Sequence, residues 1–254
     1  TRLQGDWSSD VCSSDLEINA GVDYRAWAKS VLGSSGDFTG DLGEERIKET
    51  AQLLFEEQIR VASFFGTLQA GFTDFHYLRT VWRKNTEKDS LVGVGITGIC
   101  NGGVLDMDLK AGAKVACDTN ATTAEAIGIP EAARVTTIKP SGTTSCVVGT
   151  SSGIHAWHDK TYVRNMQCKV GDDLYTFFHE HHPELIEVME YDSNSAVIGI
   201  PQEAPERAIL REDENALKML ERVRRFNLEW VREGHRRGPN TNNVSATVSE
   251  IGRA

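Results

Sequence analysis

Four hydroxyl-bearing residues surround a glycine in Lys139-Pro140-Ser141-Gly142-Thr143-Thr144-Ser145, directly after the β-branched run Arg134 to Ile138. Pro140 forces the chain out of a sheet and Gly142 allows a tight turn. Ser141, Thr143, Thr144 and Ser145 then offer hydroxyls and backbone N–H groups to one concavity. Such a nest, opening onto a helix start, binds a nucleotide phosphate without a basic surface. It is not a Walker loop, because Gly-x4-Gly-Lys-Ser/Thr is absent and Lys139 precedes the turn. The same residues also suit a capped loop with no ligand, and Lys139 a solvated charge.

Other residues suggest other chemistry. Gly93-x-Gly95-x-x-Gly98 is a literal dinucleotide fingerprint, with Asp118 twenty residues further on, so a nicotinamide-dependent dehydrogenase is an alternative. Against it, Gly102 and Gly103 interrupt an immediate helix. His179-Glu-His-His182 lacks metal-ligand spacing and reads as a polar helix end before Pro183. His155 and His158 flank Trp157 near the phosphate loop, where they either approach a nucleotide or pack. Cys100, Cys117, Cys146 and Cys168 form no C-x-x-C pair; such isolated cysteines suit a reducing cytoplasm and no metal site. Arg222, Arg224, Arg225, Arg232, Arg236 and Arg237 alternate with glutamates, as on a solvated helix face.

These residues need elements to hold them. Residues 33–43 read as a loop. A long amphipathic helix runs from about Glu44 through Ile47, Ala51, Leu54, Phe55, Ile59, Ala62, Phe65 and Leu68, with a break near Gly71 before an aromatic stretch. Asp89 to Thr97 reads as a strand, and Val104 to Ile127 as a helix capped by Gly128. Arg134 to Ile138, Tyr162 to Val170, Ala196 to Ile200 and Asn243 to Ser249 read as strands. Asp172 to His181 and Glu214 to Arg232 read as helices, the second with a wide apolar arc that implies burial against a sheet. Strands alternating with helices indicate an α/β layer or barrel.

Composition sets outer bounds. The 254 residues carry a net charge of -10, which argues against sequence-independent nucleic-acid binding. No stretch reaches the roughly 20 apolar residues of a membrane span.

The blocks Thr136–Ser145, Gly149–His158 and Thr161–Met166 together resemble the catalytic subunit of adenosylcobalamin-dependent, class II ribonucleotide reductases, in particular the ribonucleoside-triphosphate reductase branch. Gly66–Ala70, Thr73–Leu78, Asp89–Gly98, Gly234–Gly238 and Asn243–Ser249 follow in the family's order. The resemblance implies part of a ten-stranded α/β barrel and reduction of ribonucleoside triphosphates to 2′-deoxyribonucleotides. The cofactor would be adenosylcobalamin, whose homolysis makes a cysteine thiyl radical, and a thioredoxin-like protein would be the reductant. By resemblance Ser141, Gly142, Thr143, Thr144 and Ser145 grip the substrate's phosphates. The family's finger motif Asn-x-Cys-x-Glu has no counterpart here, nor do its redox cysteines. The chain is therefore expected to carry the phosphate loop without the radical chemistry, which would leave it a non-catalytic nucleotide-binding module.

Both ends read as foreign. Residues 6–16 are the in-frame translation of a common sequencing-library adapter, and residues 250–254 that of the opposite adapter. Residues 1–16 and 250–254 are therefore expected to be non-native, and 17–249 to be the barrel segment.

Overall fold

The computed structural model describes residues 14–33 and 41–248. Strand β1 (Ser14–Asn19) lies parallel to β2 (Val92–Thr97), with Ser14 opposite Val92 and Asn19 opposite Thr97. Three helices connect them: α1 (Tyr24–Leu32), α2 (Asp41–Ala70) and α3 (Thr80–Asp89). All six residues of β2 are buried, as expected for a parallel strand covered on both faces. After two short 3-10 turns, α4 (Leu109–Ile127) returns the chain to the sheet.

The segment 134–138 runs beside β2, bridging it at Val94 and Thr136, and on its other side Ile138 bridges Val244 in parallel. It forms no continuous ladder, contrary to the strand expected there. Its three bridging residues engage three different partners, since Arg134 pairs antiparallel with His235. The result is an arc of parallel extended segments in the order β1, β2, 134–138, 243–245.

Between the last two segments come α5 (Thr143–Val147), β3 (Thr161–Lys169), α6 (Asp173–His181), β4 (Ile186–Met189), β5 (Asp192–Glu203) and α7 (Ala216–Phe226). Strands β3, β5 and β4 form a separate antiparallel sheet in that order. The architecture is thus mixed α/β. A closed ten-stranded barrel is not formed by the described residues, which hold five strands in two small sheets.

The core sits between the arc and its helices. Ile47, Ala51, Phe55 and Ile59 recur every fourth residue on α2 and are fully buried. They pack with Leu109, Ala113 and Ala116 of α4, with Ile18, Val94 and Ile96 of the strands, and with Trp230. Each large aliphatic or aromatic side chain buried this way contributes about 1.5–3 kcal/mol. Gly112 lets α4 approach closely, because a Cβ there would press on Ile59 and Phe55. The helix ends follow local chemistry. Asp23 accepts from the backbone N–H groups of Arg25 and Ala26, and Asp108 from that of Ala111. Gly128 closes α4 at φ 74°, in the left-handed region.

Several expected boundaries move. Asp89 ends α3, so β2 begins only at Val92. Val104 lies in the 3-10 turn Gly103–Asp106, and α4 starts after its Asp108 cap. The last helix starts at Ala216, capped by Asn215, and widens into a π turn at Asn227–Val231. Its apolar arc is narrower than expected. Met219, Phe226, Trp230 and Val231 are buried, but Leu217 is 70% exposed. Most of the expected loop 33–43 lies outside the described residues, and α2 already begins at Asp41. The boundary expected at residue 17 falls inside β1, whose backbone pairing begins at Ser14. No helix among the described residues is long and apolar enough to cross a membrane.

Candidate functional site

The Ser141–Ser145 loop leaves the arc at the carboxyl end of 134–138, where α/β folds commonly bind ligands. Its hydroxyls divide. Ser141 and Ser145 are buried and turned into the loop. The Ser141 hydroxyl donates to Glu17 Oε2 at 2.7 Å. That of Ser145 lies 2.7 Å from the Ser141 carbonyl and 2.9 Å from that of Gly142. Thr144 is exposed, and the side chain of Thr143 lies outside the described residues. Of the four hydroxyls expected in one concavity, those of Ser141 and Ser145 are thus engaged by the protein itself. The hydroxyls of Ser141 and Ser145 brace the turn from inside, while Thr144 lies on its exposed side.

Gly142 sits at φ -75° with open space where a Cβ would go, so the turn itself does not require glycine. The demanding glycine is Gly153, at φ 53°, where a Cβ would meet the Lys139 carbonyl and Pro140. The helix expected after the loop is α5, only five residues long, so its dipole adds little.

The loop's supports come from distant parts of the chain. Arg164 on β3 donates through Nη1 to Ser145 Oγ at 2.8 Å, and through Nη2 to the carbonyls of Gly142 at 2.9 Å and Ser141 at 3.4 Å. Ser152 Oγ donates to the Ser141 carbonyl at 2.5 Å. Asn101 ties the segment after the loop to the arc. Its Oδ1 accepts from Ser151 N at 3.1 Å and Trp157 Nε1 at 2.9 Å, while Nδ2 donates to the Gly21 carbonyl at 3.3 Å. Sequence reasoning missed Glu17, Asn101 and Arg164. Only Arg164 carried a signal, as a cation among the alternating Tyr162, Met166 and Cys168 on the half-buried face of β3.

The competing motifs separate from this site. Gly93 and Gly95 lie within β2, and Gly98, at φ 79°, packs against Thr150 and Gly21. A dinucleotide fingerprint needs these glycines in the turn between strand and helix, so the motif makes no such turn. Asp118 is on α4, paired with Lys114 at 3.0 Å. His155 is held on both ring nitrogens, Nδ1 lying 3.0 Å from the Ser152 carbonyl and Nε2 2.9 Å from Thr247 N. His158 meets the ring of Tyr162 edge-on. At the end of α6, His179 and His181 stack on Tyr175 and Phe177, and His182 lies tilted against Phe178. No three His, Cys, Asp or Glu side chains among the described residues converge as a metal site.

Cys100 donates to the Ile154 carbonyl at 3.3 Å, and burial pushes its thiol up to about 12. Burial also raises the Cys117 thiol. Cavities of about 230, 430 and 530 Å³ open on the described surface, none of them lined by the Ser141–Ser145 loop.

No family model matches this sequence, and no curated protein matches it. A solved structure to which the chain is similar is that of a B12-dependent (class II) ribonucleotide reductase, with a TM-score of 0.54 and 15% identity. The match covers 72% of this chain and 30% of that one, so the chain spans less than a third of its structural neighbour. At that identity the likeness is one of fold: the chain has a mixed α/β fold similar to part of a class II ribonucleotide reductase.

Proposed function

We propose that this chain is the substrate-phosphate-binding part of a ribonucleotide reductase. Its parent reduces ribonucleoside triphosphates to 2′-deoxyribonucleotides, with adenosylcobalamin as radical source and a thioredoxin-like reductant. The observation that carries the reading is the Ser141–Ser145 loop, braced from within and opening at the carboxyl end of parallel segments in a reductase-like fold. The loop's contribution is positional, holding phosphates so that a ribose is fixed relative to chemistry supplied elsewhere. In this reading residues 1–16 and 250–254 remain adapter-derived, and the radical cysteine lies outside the chain.

Calorimetric titration with a nucleoside triphosphate tests the loop. Binding that also occurs with inorganic triphosphate, and not with the nucleoside, is the expected result. Equal binding of nucleoside and nucleotide would remove the phosphate assignment. Incubation with adenosylcobalamin, reductant and each nucleoside triphosphate should yield no deoxynucleotide, and any such product would refute the placement of the radical cysteine.

A further inference from the structure

We infer that Arg164 is the positioning residue of the phosphate loop, holding the loop's carbonyls from behind so that its amides face the anion. The inference rests on the phosphate reading above. Across a trans peptide the C=O and N–H groups point in opposite directions, and the described chain has no cis peptide bonds. Whatever fixes the carbonyls of Ser141 and Gly142 therefore also aims the N–H groups of Gly142 and Thr143. Both carbonyls converge on one side. That of Gly142 takes Arg164 Nη2 at 2.9 Å and Ser145 Oγ at 2.9 Å. That of Ser141 takes Ser145 Oγ at 2.7 Å, Ser152 Oγ at 2.5 Å and Arg164 Nη2 at 3.4 Å. The two following amides are thereby turned to the other side, away from the guanidinium.

The geometry needs an arginine. One planar fork reaches Ser145 Oγ with Nη1 and the Gly142 carbonyl with Nη2. A lysine ammonium on a flexible stem does not reproduce that pair of directions. The cation also lies at the carbonyl ends of these peptides, where it favours the dipole orientation that presents N–H outward. Glu17 completes the arrangement by accepting a hydrogen bond from the Ser141 hydroxyl, which commits that hydroxyl to the protein instead of the ligand. The phosphate thus meets neutral amides, with the positive charge one peptide layer behind them.

The test uses the 254-residue chain, inorganic triphosphate as probe, and amide spectra of labelled protein. In the unsubstituted chain triphosphate should shift the Gly142 and Thr143 amide resonances. Arg164→Met should lower triphosphate affinity about tenfold or more, as expected for losing charge-assisted hydrogen bonds. It should also displace those two resonances before any ligand is added, and methylguanidinium should restore part of both. Arg164→Lys, which keeps charge and length, should behave like Arg164→Met; it decides the matter if the Met variant fails to fold. Unaltered affinity and unaltered free-state resonances in Arg164→Lys would overturn the inference while leaving the loop reading intact. Absence of triphosphate binding by the unsubstituted chain would overturn the loop reading and this inference together.

Discussion

Asn101→Ala should cost this chain about 2–7 kcal/mol of stability. Its Oδ1 is an acceptor for two donors, Ser151 N and Trp157 Nε1, at 3.1 and 2.9 Å. Trp157 and Ser151 are 1% and 2% exposed, so neither donor finds bulk water when the carbonyl is removed. A buried donor left unpaired costs about 1–3 kcal/mol, and losing the longer Nδ2 contact to Gly21 adds a few tenths to about 1 kcal/mol. A water entering the vacated space would place the result near the lower figure. Asn101→Asp keeps the shared acceptor and should be the more stable of the two at neutral pH. Urea unfolding followed by tryptophan fluorescence measures both, provided the slope with denaturant stays constant. A loss below about 1 kcal/mol for Asn101→Ala would refute the claim that this side chain ties the segment after the phosphate loop to the ends of β1 and β2.

Gly98→Ala should destabilise by about 2 kcal/mol or more, because φ 79° is unfavourable for alanine and the new Cβ would press on Thr150 and the Gly21 backbone; a thermal melt checks it. Thr144→Ala removes an exposed hydroxyl of the loop and should weaken triphosphate binding by about 1 kcal/mol with the melting temperature unchanged, measured by calorimetry. Burial holds the Cys100 thiol well above its ordinary 9.0, with Arg222 partly opposing and Glu214 reinforcing the shift. The unfolded chain ionises this thiol first, so its contribution is intact below pH 9 and is lost as pH rises toward about 12. Stability should therefore fall over that window, by up to about 1.4 kcal/mol per pH unit from this group, and less steeply in Cys100→Ala.

What was legible in the sequence is what short-range periodicity and capping encode. The Ile47-Ala51-Phe55-Ile59 spacing marks the buried stripe of α2, and Gly128 marks the end of α4. Strand β3 and helix α6 also appear within a residue of their expected bounds. Strand β4 was not legible, since Ile186–Met189 is four residues long and follows a proline turn. Nor was the pairing of 134–138, whose register depends on three partners remote in sequence. The Gly93, Gly95 and Gly98 pattern misled because spacing alone does not tell a glycine inside a strand from one in a turn. At the site, the loop residues are contiguous and visible, whereas the groups that orient them arrive through tertiary packing. Glu17 lies 124 positions from the serine it touches, and Asn101 lies 56 from Trp157.

Those separations also bear on the order in which the molecule assembles. The contact between 137 and 243 closes 106 residues, and that between Glu17 and Ser141 closes 124. Closure entropy grows only logarithmically with length, so such pairings are thermodynamically affordable but kinetically late. During synthesis, Glu17, β2 and the loop leave the ribosome before the 243–245 segment that flanks the loop's strand. Until that segment docks, Ile138 presents an unpaired backbone edge, and the newly made chain is exposed there to strand addition by a neighbour.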